Sequence, residues 1–445
     1  WTNAITGVRT QAETGGTGDD TFLAQAAASL SNGDVVDGGA GSDTLTARYS
    51  VSAASTINTS IVNVETLNID LDDGDITADH ITTINTSGFT GLTDVVSSNA
   101  DSTSGEEDVL VFSNIATGVN AGIVNGDANS DATFTYKTTT GVTDAATLNL
   151  TAGVANTVTM AGIETITINA VSGTSAIDAL TTTAATKLIL AGSGKLTLTN
   201  VDDATTTIDG SAATGNLTLI GIGAVTSIIT GGSGNDSVDM AGTLTTADTI
   251  DLGAGTDTVK ISGLGASTTI STLGLSNVEN IQVIGIAGTA ATILTDGQVG
   301  LETLTFVENA TNTTDQTAND LAAGGKVVLN QANANAMGDV NLGLKDASGT
   351  SDVLDVTMKL TSGHANEVID NISFTNIETL NLTSTKLTAV DTAAADINLV
   401  TAITADAKLA SMTLAGAHVT VDNQGADSAS INDVSGYALD LSFAF

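Results

Sequence analysis

The chain contains no cysteine and no proline. The first absence excludes a disulfide framework, a zinc ribbon and a thiol nucleophile. The second suits an unbroken ladder of strands, because proline lacks the N–H that a ladder uses. Aromatic residues make up only 3% of the chain, so its layers must be thin and regular, built on Ala, Thr, Val, Ile, Leu and Gly. Basic residues are scarce as well. Lys and Arg number 11 against 50 Asp and Glu, a formal net charge of −39. That balance excludes nucleic acid as a partner, since phosphate binding needs a basic face. It also argues against a bare anionic membrane and suits a medium rich in divalent cations. No run of about 18 apolar residues is present, so no membrane span is expected.

Only His80, His364 and His418 offer a base near neutral pH, and none sits in an H-E-x-x-H pattern. There is no G-x-S-x-G elbow and no phosphate loop. The many carboxylates leave glycoside hydrolysis open, but few aromatics are available to stack a sugar. A non-enzyme is therefore expected. The composition is nonetheless that of a folded chain: 41% of the residues are hydrophobic and the mean hydropathy is positive. With 445 residues, two domains or an extended repeat array is expected. Trp1 is not an initiator Met and no basic-then-apolar leader follows it. The numbering is thus expected to start inside a longer gene product.

Internal repetition is the dominant feature. TGGTGDDTFL (14–23) returns as TGGSGNDSVD (230–239), and GDVVDGGAGSDTLT (33–46) returns as ADTIDLGAGTDTVK (247–260). Asp20 and Asp236 lie 216 residues apart, and Asp43 and Asp257 lie 214 apart. A second signature keeps the same offset. NVETLNI (63–69) matches NVENIQV (277–283), and GIETITI (162–168) matches NIETLNL (376–382). A further copy, GLETLTF (300–306), belongs to the second unit alone. These offsets define two units, 1–226 and 227–445, each opening with a turn pair (15–46 and 231–260).

Stretches such as TLNID, LVFSN, KLTLTN and VVLN read as short strands separated by Gly, Asn, Asp, Ser and Thr turns. The alanine-rich pieces 24–30 and 184–188 are candidates for single helical turns. Evenly spaced short strands without proline point to an all-β fold, a right-handed parallel β-solenoid (β-helix or β-roll), internally duplicated, with coils stacked about 4.8 Å apart. A string of β-sandwiches is the alternative.

Residues 15–23, 38–46 and 231–239 fit G-G-x-G-x-D-x-U-x, and 252–260 fits with Leu252 replacing the first glycine. Glycine permits positive φ and lets carbonyls turn inward. The aspartate supplies a hard oxygen, and the apolar residue two places on anchors a strand. Carbonyls with carboxylates, and neither His nor Cys, select Ca²⁺. One turn makes half a cage, so neighbouring turns, 23 and 21 residues apart, are expected to share an ion. The expected metal residues are Gly15, Gly16, Gly18, Asp20, Gly38, Gly39, Gly41 and Asp43 in the first pair. In the second they are Gly231, Gly232, Gly234, Asp236, Gly253, Gly255 and Asp257. Asp34, Asp37, Asp248 and Asp251 are added as further ligands. Asp19 holds a position where the motif allows any residue. A plain Gly-Asp turn is the competing reading for any single copy, and it stays level for 104–111 and 348–356, which carry an extra residue. Glu65, Glu164, Glu279, Glu302 and Glu378 are expected to close turns by accepting backbone N–H groups at strand heads.

The paired GGxGxD turns resemble the RTX family of calcium-dependent proteins, exported unfolded by type I secretion in Gram-negative bacteria. The Thr- and Ala-rich coils and the NVETLNI-like strands are similar to the lattice-forming region of RTX-type surface-layer proteins. That resemblance implies a protein folded by calcium outside the cell and assembled with copies of itself into a two-dimensional sheet. It matches Asp20, Asp43, Asp236 and Asp257 to the ligand position. It also implies attachment to lipopolysaccharide through a region not found in this chain. An RTX adhesin with a calcium-stiffened stalk, or a matrix filament, is the alternative function. The terminal YALDLSFAF (437–445) reads either as a secretion signal or as one more strand.

Overall fold

The computed structural model describes residues 2–4, 12–24, 30–49, 55–72, 81–101, 109–201, 204–222, 226–241, 243–262, 268–272, 274–284, 291–295, 298, 300–308, 315–331, 337–345, 348–360, 367–386, 398–406, 408–416, 419–421 and 439–442. His80, His364, His418 and most of 104–111 and 24–30 lie outside them. The chain is all-β, in parallel sheets stacked as a β-solenoid. It divides into two compact units, Trp1–Asp236 and Ser237–Phe445. The division falls inside the second turn pair, after residue 236 rather than 226.

In the first unit one sheet climbs from Thr2–Ala4 through Thr21–Ala24, Thr44–Tyr49, Thr66–Asp72 and Asp94–Asp101, and on to Thr207–Ala213 and Ile228–Thr230. A second contains Ile81–Asn85, Val109–Ile115, Asp131–Tyr136 and their successors to Leu217–Ile220. A short third sheet joins Ala12–Thr14, Val35–Asp37, Ser60–Val62 and Phe89–Thr90. The pairs are parallel and like sits on like. Phe22, Leu45, Leu67, Val95 and Ala121 face one another in register and are buried. Phe112 stacks on Phe134 with ring centroids 5.6 Å apart. The period-2 alternation expected from the sequence recurs in burial, as at 44–49. Burying each such leucine stabilises the coil by about 1.5–3 kcal/mol.

The second unit repeats the plan. Its main sheet runs from Ser237–Asp239 and Thr258–Ile261 through Asn280–Ile284 and Thr303–Glu308 to Thr379–Lys386 and Ser411–Gly416. A second runs from Thr268–Ser271 to Val419–Val421, and Thr249–Asp251 pairs with Leu275–Ser276. Leu439–Ser442 pairs antiparallel with residues 411–414. The terminal segment therefore contains a strand, though not one more parallel rung. No α-helix occurs among the described residues, where Thr86–Gly88 forms one 3-10 turn. The expected helical turn at 184–188 is instead a bend that opens into Lys187–Gly192. Among the described residues no helix is long and apolar enough to cross a membrane.

Candidate metal centre

In the first unit the two glycine–aspartate turns lie one coil apart, directly stacked. Gly15 N–H donates to Asp37 O (2.7 Å) and Ala40 N–H donates to Gly16 O (2.9 Å). Asp20 N–H donates to Asp43 Oδ1 at 2.7 Å. Gly16 N–H donates to Asp20 Oδ2 at 2.5 Å, so the first carboxylate folds back over its own turn. Asp20 and Asp43 are only 4% and 1% exposed. The Oδ2 atom of Asp43 is buried and has no hydrogen-bond partner. Asp19 is more than a filler, because its Oδ1 accepts the N–H of Ser42 in the next coil at 2.8 Å.

The glycines answer to two constraints. Gly39 has φ 91°, and a Cβ there would stand 2.2 Å from Gly16 O. Gly41 (φ 144°), Gly253 (φ 86°) and Gly255 (φ 148°) also lie in the left-handed range. Gly15, Gly16, Gly18, Gly38, Gly232 and Gly234 lie outside it and do not use that freedom. At Gly15, Gly38, Gly232 and Gly234 the reason is crowding, since main-chain atoms of the adjoining coil would meet a Cβ. Gly18 has no such neighbour within 4 Å.

The second pair is divided between the units. In the first unit, Asp236 accepts Gly232 N–H and Leu217 N–H, both at 2.8 Å. Its neighbour there is the plain turn at Gly215 and Asn216, whose Oδ1 accepts Asn235 N–H (3.1 Å). In the second unit, Asp257 is fully buried and its N–H donates to Glu279 Oε2 at 2.8 Å. Leu252, where the first glycine is lost, is itself fully buried. The corresponding carboxyls titrate in opposite directions. The Gly16 N–H holds Asp20 below the ordinary value of 3.8. Burial pushes Asp236 above it, against the pull of the Gly232 and Leu217 N–H groups.

The four added acids separate into two kinds. Asp37 Oδ1 accepts Gly39 N–H (3.1 Å) and Asn63 Nδ2 (2.8 Å), and Asp251 Oδ1 accepts Gly253 N–H (3.2 Å) and Asn277 Nδ2 (2.6 Å). Both abut their glycine turns. Asp34 and Asp248 stand at the far ends of the strands Val35–Asp37 and Thr249–Asp251, roughly 10 Å away at about 3.3 Å per residue. There Asp34 Oδ2 takes the N–H (2.6 Å) and hydroxyl (3.0 Å) of Ser31, and Asp248 Oδ2 takes those of Thr245 (2.7 and 3.0 Å). The structure thus ties these two to separate turns.

The glutamates of the second signature accept backbone N–H groups across coils. Glu65 Oε2 takes Asp43 N–H (2.6 Å), Glu164 takes Asp144 (2.8 Å), Glu279 takes Asp257 (2.8 Å) and Glu378 takes Asp352 (3.0 Å). The residue two before each is left-handed: Asn63 (52°), Gly162 (76°), Asn277 (51°) and Asn376 (64°). Asn and Gly are the residues that enter this region with least strain. Glu302, whose Gly300 is likewise left-handed (92°), lines a cleft of about 290 Å³ with Lys326 and Lys345. In 348–356, Asp352 Oδ2 is buried without a partner, as is Asp43 Oδ2. The sequence missed the aspartate each glutamate serves, although the 22-residue spacing of Asp43–Glu65 and Asp257–Glu279 held the signal.

Among the described residues no three His, Asp or Glu side chains converge to hold a metal on their own. A cation at the first pair must take main-chain oxygens as well as Asp20 and Asp43. The donor set is all oxygen, and the buried, unpartnered Asp43 Oδ2 fits a hard ion. The fold and site together define a parallel β-solenoid consistent with an RTX-type repeat protein. No protein-family model matches the chain, and no curated protein does either.

Proposed function

We propose that this is a calcium-folded, non-enzymatic surface-layer protein. It is secreted, and it assembles with its own copies into a two-dimensional lattice outside a Gram-negative cell. The observation that carries the reading is the Asp43 carboxylate. It is 1% exposed, stacked against a second aspartate turn, and has one oxygen without a hydrogen-bond partner. Leaving a buried carboxylate oxygen unsatisfied costs about 1–3 kcal/mol or more. A bound cation removes that cost.

Asp20, Asp43 and the carbonyls of the stacked turns would hold the ion in the first pair, and Asp37 would support the second turn through Gly39. Asp236 and Asp257 occupy the same motif position in their own units. Calcium supplies charge neutralisation and cross-links one coil to the next. Extracellular calcium modules bind at about 10⁻⁴–10⁻³ M. Calcium at tenfold its Kd adds about 1.4 kcal/mol per site to folding. A chain of net charge −39 then stays unfolded where calcium is scarce and folds where it is abundant.

The test is negative-stain microscopy and circular dichroism of the purified chain with calcium and with excess chelator. Ordered sheets and a β-rich spectrum with calcium, both lost in chelator, are expected. Sheets that persist in chelator with an unchanged spectrum overturn the calcium reading. A folded monomer at all calcium concentrations overturns the lattice.

A further inference from the structure

We propose that Glu65 in the first unit is a positioning residue of the cation site, so that the binding module there is three coils deep and not two. The inference rests on the reading that the glycine–aspartate turns hold calcium. It adds a layer which the motif itself does not contain.

Asp43 has few free atoms. Its N–H donates to Glu65 Oε2 at 2.6 Å. Its carbonyl accepts from both Glu65 N–H and Thr66 N–H at 3.0 Å. Its Oδ1 accepts Asp20 N–H. Only Oδ2 is left without a partner, and it is buried. The orientation of that oxygen is therefore fixed on one side by the first turn and on the other by the N-V-E turn of the third coil. Asn63 extends the hold to Asp37, whose Oδ1 also takes Gly39 N–H within the second turn.

The second unit repeats the arrangement with different neighbours. Asp257 N–H donates to Glu279 Oε2 (2.8 Å), Asn280 N–H donates to Asp257 O (2.9 Å), and Asn277 Nδ2 donates to Asp251 Oδ1 (2.6 Å). A glutamate suits this reach. Coils are about 4.8 Å apart, and the carboxylate must return from one coil to an N–H of the coil before it. Groups that orient a metal ligand through a hydrogen bond change affinity by about 10–100-fold when removed.

The same clamp joins Asp144 to Glu164 and Asp352 to Glu378, where the full motif is absent. Glu164 therefore serves as the control for a merely structural role. The experiment is a calorimetric calcium titration of the full chain and of Glu65→Ala, Glu65→Gln and Glu164→Ala, with amide hydrogen exchange at Asp43 in chelator. Glu65→Ala should weaken calcium binding by about tenfold and speed exchange of the Asp43 amide. Glu65→Gln keeps an acceptor oxygen and should bind within about threefold of the parent. Glu164→Ala should leave affinity unchanged. Parent-like affinity in Glu65→Ala overturns the inference, and so does an equal loss in Glu65→Gln, which would make Glu65 a direct ligand. If Glu65→Ala does not fold, Glu65→Asp decides in its place, and unchanged affinity there overturns the inference. A parent chain that binds no calcium overturns the functional reading instead.

Discussion

The chain turns its corners in two ways. At residues 38–43 it uses two left-handed glycines, Gly39 and Gly41, and a buried aspartate. At 63–65, 162–164, 277–279 and 376–378 it uses one left-handed Asn or Gly, a buried aliphatic and a glutamate. Val64, Ile163, Val278 and Ile377 are each no more than 2% exposed and plug the corner from inside. Each glutamate then takes the N–H of an aspartate in the coil before it. The second kind of corner is closed by the chain's own atoms. The first leaves a buried oxygen on Asp43 unsatisfied. On the proposed reading, dependence on a solute would be concentrated at the glycine–aspartate corners.

The largest test of that contrast is chelation. Hydrogen exchange should accelerate by about tenfold or more per vacated site in residues 12–49, following the loss of about 1.4 kcal/mol. Residues 154–199, which hold a glutamate corner and no full motif, should change little. Equal acceleration in both segments would erase the distinction. A sharper version uses Asp43→Asn. It keeps an acceptor for Asp20 N–H but removes the charge, so calcium affinity should fall by about tenfold or more while the chelated protein is no less stable. Glu164→Ala should do the reverse. Leaving the Asp144 N–H without its acceptor costs about 1–3 kcal/mol in a denaturation midpoint, with calcium affinity intact. Loss of calcium binding in both variants would mean that the two corners act as one system.

Next in size is the left-handed residue. Asn376 (φ 64°) lies in a corner without the full motif. Asn376→Ala should destabilise by about 1–2 kcal/mol, the strain of a Cβ in this region, and Asn376→Gly should recover most of it. If Ala and Gly behave alike in thermal unfolding, conformation is not what selects Asn there.

These corners explain how far the sequence could be read. Strands and core were legible because burial alternates with period 2, and the same apolar types recur one coil on, as at Phe22, Leu45 and Leu67. The aspartates of the stacked turns were legible because the motif repeats at a fixed offset. Asp34 and Asp248 were not, since proximity in sequence hides the strand that separates them from the glycines. The reciprocal bond of Asp43 and Glu65 was hidden for the opposite reason. It joins residues 22 apart through one coil of the solenoid, a distance no local pattern measures. Asp19 was hidden because a position open to any residue in the motif can still donate or accept across coils, as it does for Ser42.

The smallest expected effect separates two aspartates that the motif treats as equals. The Gly16 N–H lowers the Asp20 carboxyl, so its ionised form stabilises the fold above the ordinary value of 3.8. That contribution is lost as pH falls through the lowered native value. Burial raises Asp236, so the sign reverses. Its charge is a cost near neutral pH, and in chelator the fold gains stability as pH falls through the raised native value toward 3.8. Carboxyl carbon shifts followed by NMR in chelator should show Asp236 titrating above Asp20. Calcium should suppress proton uptake at Asp236, because proton and cation compete for the same oxygens. If Asp236 titrates at or below Asp20, its burial does not outweigh the two N–H bonds, and the two turns are electrostatically alike.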